Sequence, residues 1–124
     1  MPAPASIGQI AVVCHDIGRA TAFYRDVIGL PLLFEAGGMS FLQCGEVRLM
    51  LSLPSAPEFD HPGSVIYFRV EGIEARMEAL RAKGAEILRD AALAHSDGRH
   101  ALWLGFFKDT EGNTLALMEE RILT

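Results

Sequence analysis

The chain is poor in the residues that would make its chemistry easy to name. It holds two cysteines and one tryptophan in 124 residues. Cys14 and Cys44 have neither CxxC nor zinc-finger spacing, which argues against a local zinc module; free thiols in a reducing compartment are expected rather than a disulfide. Basic residues are too few to outweigh the acidic ones, the net charge is −5, and no basic run or stripe is present. Nucleic acid and acidic membrane surfaces are therefore disfavoured as partners. No apolar stretch approaches the roughly 18 residues of a membrane span, and residues 1–6 lack the charged and apolar regions of a secretory signal. A cytoplasmic location is expected. No Gly-rich phosphate loop, nucleophile elbow or Ser/His/Asp arrangement is visible.

What is present is ample apolar material, 50% of residues against 22% charged, enough for one domain with a real core over residues 1–124. The pattern is one supersecondary unit written twice. In the first copy, residues 6–53, alternation across Ile7 to Cys14 predicts a half-buried strand. Asp16 is placed as an N-cap. Ile17, Ala20, Phe23, Tyr24, Val27 and Ile28 follow at helical spacing until Gly29. Three strands then follow at 32–36, 39–44 and 47–53, punctuated by Gly37-Gly38 and Gly45-Glu46. A Pro-rich connector over 54–63 separates this from the second copy, residues 64–120. There a strand is expected at 64–70, a helix from Ile73 to a stop at Gly84, and strands at 86–89, 99–107 and 113–119. The fold class is α+β, two βαβββ modules forming a mixed sheet. A ferredoxin-like βαββαβ fold also has two helices, but three strands after each helix argue against it.

Two segments carry a family resemblance. "IAVVCHDIGRATAFYRDVIGLPLL" is similar to the opening of the vicinal-oxygen-chelate superfamily, which comprises glyoxalases, bleomycin-resistance proteins and extradiol dioxygenases. "FFKDTEGNTLALME" resembles its closing hairpin, where Asp-Pro-Asp-Gly-Asn usually precedes a strand ending in Glu. The resemblance implies a U-shaped sheet around one concavity that holds ligand or metal, often in a dimer. It also implies four ligand positions, which fall on Gln9, Met50, Val65 and Ala116. Only Gln9 has a usable donor, and a catalytic metal needs about three protein ligands. Glu46 and Glu120 lie four residues away, about 13 Å along a strand. No metal and no cofactor are therefore expected.

Strand alternation selects the residues facing the concavity: Gln9, Arg48, Met50, Val65, Tyr67, Ala116 and Met118, with Arg69 near the rim. On the strand at 99–107, Leu102, Leu104 and Phe106 are read as the helix-covered face and Trp103 as facing the cleft. Trp103 is then either a stacking platform or core filler. Phe23 and Tyr24 are core packing. His15, His61 and His95 are read as surface residues, and His100 as a surface residue or a general acid/base. Catalytic residues stay unassigned. The leading reading is a metal-free protein that binds a small organic molecule, in its sharper form anionic and partly aromatic, with Arg48 meeting the anion. The alternative is a divergent lyase, isomerase or dioxygenase acting on vicinal oxygens. A homodimer is expected.

Overall fold

A computed structural model describes residues 3–123, which divide into two compact units, 3–63 and 64–123.

The first unit runs β1 (Gln9–Val13), α1 (Ile17–Ala22), β2 (Leu32–Ala36), β3 (Met39–Cys44) and β4 (Val47–Ser52). Its sheet has the order β1-β4-β3-β2, with β1 parallel to β4 and the remaining pairs antiparallel. Asp16 caps α1 as expected, its carboxylate accepting the Arg19 N–H at 3.1 Å. Beyond Ala22 the helix widens into a π-helical segment, Phe23–Ile28, in which Phe23 and Tyr24 are buried. The Gly29 N–H donates to the Tyr24 carbonyl, and Gly29 ends the helix at φ 95°, a left-handed conformation that glycine adopts without steric cost. Val12, Leu42, Leu49 and Leu51 are buried on one face of the sheet together with Ala20, Phe23 and Tyr24 of the helix. By strand parity the opposite face carries Gln9, Ala11, Phe34, Phe41, Arg48 and Met50.

The second unit runs β5 (Ile66–Arg69), α2 (Ile73–Ala82), β6 (Glu86–Ser96), β7 (His100–Lys108) and β8 (Thr114–Ile122), with sheet order β5-β8-β7-β6. The helix starts at Gly72, which has no side chain to cap it. The cap comes from β8: Glu119 accepts the N–H groups of Gly72 at 3.0 Å and Ile73 at 3.1 Å. Ile73, Met77 and Leu80 on α2 are buried, as are Phe68, Phe107, Leu115 and Leu117 on the strands. The turn before β8 closes on Asp109, whose carboxylate accepts from the Glu111 and Asn113 backbones at 2.8 Å each and from the Asn113 amide at 2.9 Å.

Three expectations need correction. The fifth strand begins at Ile66, so Val65 lies just before it, 40% exposed. The sixth runs to Ser96 instead of stopping near Arg89. Its Asp and Ala residues have weak strand propensity, but pairing with β7 carries it on through three register shifts.

The third correction is the alternation on β7, which is reversed. Gly105 pairs with Leu117 and Phe107 with Leu115, both buried partners. A Cβ built on Gly105 would meet the Met77 sulfur of α2 at 2.7 Å. The side carrying Ala101, Trp103, Gly105 and Phe107 is thus the helix side. The bulkier trio Leu102, Leu104 and Phe106 faces away from α2. The sequence misled because the helix sits over the glycine, where there is room for it, and not over the larger residues.

Candidate functional site

The face of the first unit turned away from α1 brings three expected residues into contact. Gln9 and Arg48 are cross-strand partners on β1 and β4, and Arg48 Nε donates to Gln9 Oε1 at 2.7 Å. The Gln9 amide nitrogen lies 3.7 Å from the Met50 sulfur. The Arg48 guanidinium carbon stands 5.1 Å from the centroid of the Phe41 ring, within cation–π range. Phe41 stacks in turn on Phe34, with centroids 4.4 Å apart and planes at 22°. Phe34 is 47% exposed, whereas Phe41, between Phe34 and Arg48, is 8% exposed. The result is an open apolar platform with a guanidinium at its side. Arg48 has committed its Nε, and no acceptor among the described residues engages its terminal nitrogens. They retain the planar fork that suits a carboxylate.

The Phe34–Phe41 pair was not singled out from the sequence. The signal was there: if Gly37-Gly38 is the tip of a two-residue hairpin, Ala36 pairs with Met39, and the register then sets Phe34 opposite Phe41.

In the second unit, the face turned away from α2 carries Tyr67 and Arg69 on β5, Ala116 and Met118 on β8, and Leu104 and Phe106 on β7, in matching register. Tyr67 meets Phe106 edge to face at 6.0 Å. Ala116, between them, is fully buried. Arg69 does not stand alone, since it pairs with Glu120 at 3.2 Å. A cavity of about 320 Å³ is bordered by Leu88, Arg89, Phe106 and Thr114.

Trp103 is not part of this face. It lies opposite Glu119 on the helix side, with the Arg121 guanidinium 4.8 Å from the centre of its ring system. Arg121 also bonds Glu119 at 2.8 Å and Glu74 at 2.5 Å. This cluster secures the start of α2. The Gly72 and Ile73 N–H groups, then Arg121, hold the Glu119 carboxyl below its ordinary pKa.

His100 is also committed locally. Asp97 accepts its backbone N–H at 2.7 Å and that of Arg99 at 3.0 Å, and the imidazole lies 3.6 Å from the same carboxylate. These bonds lower the Asp97 pKa. His15 pairs with Asp60 at 2.9 Å. Cys14 is a buried free thiol, and burial pushes the half-buried Cys44 thiol up from its usual pKa.

The four positions marked for metal ligands do not fit a cation. Gln9 offers one oxygen, and a guanidinium already occupies it at 2.7 Å. A cation there would face a positive charge. Met50 offers a thioether, and Val65 and Ala116 offer hydrocarbon. Among the described residues no group of three or more His, Cys, Asp or Glu is placed to hold a metal ion. Among the same residues no helix is long and apolar enough to cross a membrane.

Comparison with known proteins agrees with the topology. The family model described as the Glyoxalase/Bleomycin resistance protein/Dioxygenase superfamily matches residues 6–117. A glyoxylase-like domain-containing protein of Didymella fabae is 30% identical over 119 residues, covering 90% of this chain and 91% of that protein. Two solved structures share the fold at low identity. Lactoylglutathione lyase from Agrobacterium tumefaciens superposes with a TM-score of 0.74 at 21% identity, covering 94% of each chain. TnmS3, an antibiotic binding protein from Streptomyces sp. CB03234, superposes with a TM-score of 0.77 at 19% identity, covering 98% of this chain and 100% of that one. With two βαβββ units and a family model running across both, this chain belongs to the glyoxalase/bleomycin resistance protein/dioxygenase superfamily and has its α+β fold.

Proposed function

We propose that this chain binds a small organic molecule without a resident metal, with residues 1–124 acting as one domain. The observation that carries the reading is the cluster of Gln9, Arg48, Met50, Phe41 and Phe34 on the open face of the first sheet. Arg48 is oriented by Gln9 and by the Phe41 ring, so its fork is partly pre-organised before a ligand arrives. That lowers the ordering cost of binding. The half-exposed ring of Phe34, stacked on the buried Phe41, offers a flat apolar surface beside it. The ligand class this suits is a planar or aromatic molecule bearing a carboxylate or similar anionic oxygen. Tyr67 and Met118 are assigned to ligand contact in the second unit, on the Tyr67–Phe106 face; Ala116, fully buried between Tyr67 and Phe106, backs that face without touching a ligand. One neighbour in fold, TnmS3, is described as an antibiotic binding protein, a precedent for small-molecule binding on this fold.

The test is titration with small aromatic acids, read by calorimetry or by amide shifts. Trp103 fluorescence is unsuitable because the indole is on the helix side of its own sheet. Arg48→Ala is expected to weaken binding by about 1.5 kcal/mol, the lower end for a hydrogen bond to a charged group because Arg48 is exposed, or about tenfold. Unchanged affinity in Arg48→Ala would reject the assignment. A homodimer is part of the same proposal, since exposed Leu33, Phe34, Leu88 and Leu93 leave apolar surface on strands β2 and β6, each at an edge of its sheet. Light scattering at micromolar concentration should give twice the chain mass, and a monomer mass would end that part.

A further inference from the structure

A second cavity in the first unit, of about 260 Å³, lies on the helix side of the sheet. It is bordered by Ile17, Gly18 and Thr21 of α1, by Glu35 to Gly38 at the tip of the β2–β3 hairpin, and by Met39 and Ser40. It shares none of these residues with the platform around Arg48.

Proton accounting gives its floor a definite polarity. Thr21 Oγ1 donates its single proton to the Ile17 carbonyl at 2.6 Å. The 2.6 Å contact between Thr21 Oγ1 and Ser40 Oγ must then use the Ser40 proton. Both residues are buried, Ser40 at 1% exposure. Ser40 Oγ is therefore a buried oxygen that can only accept, and no donor among the described residues reaches it.

Glu35 is the cross-strand partner of Ser40, so its carboxylate rises from the same face. Glu35 forms no ion pair among the described residues. Arg25 is close enough to interact with it through space, but that guanidinium is engaged by Asp26 through two bonds of 2.8 Å. The cavity's side chains thus present a carboxylate and a hydroxyl acceptor but no uncommitted donor, with the aliphatic groups of Ile17, Ala36 and Met39 around them. Among the side chains that border the cavity an anion would meet only acceptors. A divalent cation would find one carboxylate where it needs several oxygen ligands. An ammonium group brings three N–H donors and one positive charge, which matches both acceptors.

We propose that the cavity between α1 and the β2–β3 hairpin binds a small organic ammonium ion, with the Glu35 carboxylate and Ser40 Oγ as its acceptors and Ile17, Ala36 and Met39 around its alkyl part. The volume accommodates a compact monoamine rather than a peptide.

The experiment is an amide-resolved NMR titration with n-butylamine at neutral pH, beside butan-1-ol and butyrate as neutral and anionic counterparts. The amine should saturably shift the amides of Gly18, Gly37, Gly38 and Ser40, while the alcohol and the acid should not do so at the same concentrations. Glu35→Gln, at an exposed position, should weaken amine binding by about tenfold. Ser40→Ala should weaken it severalfold, and its own amide spectrum reports whether the fold is kept. Equal binding of butan-1-ol, unchanged affinity in Glu35→Gln, or shifts centred on Phe41 and Met50 would overturn the proposal. The aromatic-acid titration reads different amides, so either proposal can fail without the other.

Discussion

Replacing Gly105 by alanine adds one methyl group at a place where the structure leaves no room. The new Cβ would lie 2.7 Å from the Met77 sulfur, 2.9 Å from its terminal methyl and 3.1 Å from Cγ, against ordinary carbon contacts of about 3.5–4.0 Å. Met77 is 2% exposed, so it has little space into which to retreat. Overpacking of this kind costs about 1–3 kcal/mol. Part of it is offset because alanine loses less conformational freedom than glycine in a strand, by about 0.5–1 kcal/mol. The methionine end is flexible, which keeps the net loss to about 0.5–2 kcal/mol. In a Met77→Ala background, itself destabilised by about 2–5 kcal/mol, the obstacle is gone. There Gly105→Ala should stabilise, and the coupling between the two sites should be about 1–3 kcal/mol. Urea denaturation followed by the fluorescence of Trp103, two residues away on β7, measures all four proteins. If Gly105→Ala stabilises equally in both backgrounds, Gly105 does not lie under α2. The β7 alternation would then revert and return Trp103 to the open face.

Two further outcomes follow from the same geometry. Glu119 has a lowered pKa because it caps α2. Its contribution is therefore present above the ordinary carboxylate pKa of 4.5 and disappears as pH falls through the lower folded value; the stability gap between the native chain and Glu119→Gln, measured by denaturation across pH 7 to 2, should be widest near neutrality and close in acid, and a constant gap would refute the cap. Elemental analysis of the purified protein is expected to find no stoichiometric zinc, nickel, iron or manganese, and about one metal per chain that disappears in Gln9→Ala would overturn the metal-free reading.

Residue order alone specified the repeated βαβββ arrangement, the start of α1 at Asp16 and the turns at Gly29, Gly37 and Gly38. These are local decisions: a cap, a glycine where φ is positive, an apolar period of two or of 3.6. It also determined that Met50, Val65 and Ala116 cannot serve as strong metal ligands, because donor chemistry is written in residue type. The parity of β1, β4 and β8 was legible as well, because each has one face of larger buried residues and a different opposite face.

On β7 both faces are apolar, so alternation alone could not say which one the helix covers. Only the contact between Met77 and Gly105, residues far apart in sequence, decided it, and with it the place of Trp103. The extension of β6 to Ser96 is of the same kind, since weak strand formers were held by pairing with β7. The cap on α2 came from Glu119 on a strand, where no local pattern could indicate it. The partners of Arg48 were likewise settled by register between strands, which set Gln9 and Phe41 beside it, with Phe34 stacked on the ring. Local signals fix which elements form; the face each side chain presents depends on what packs across from it.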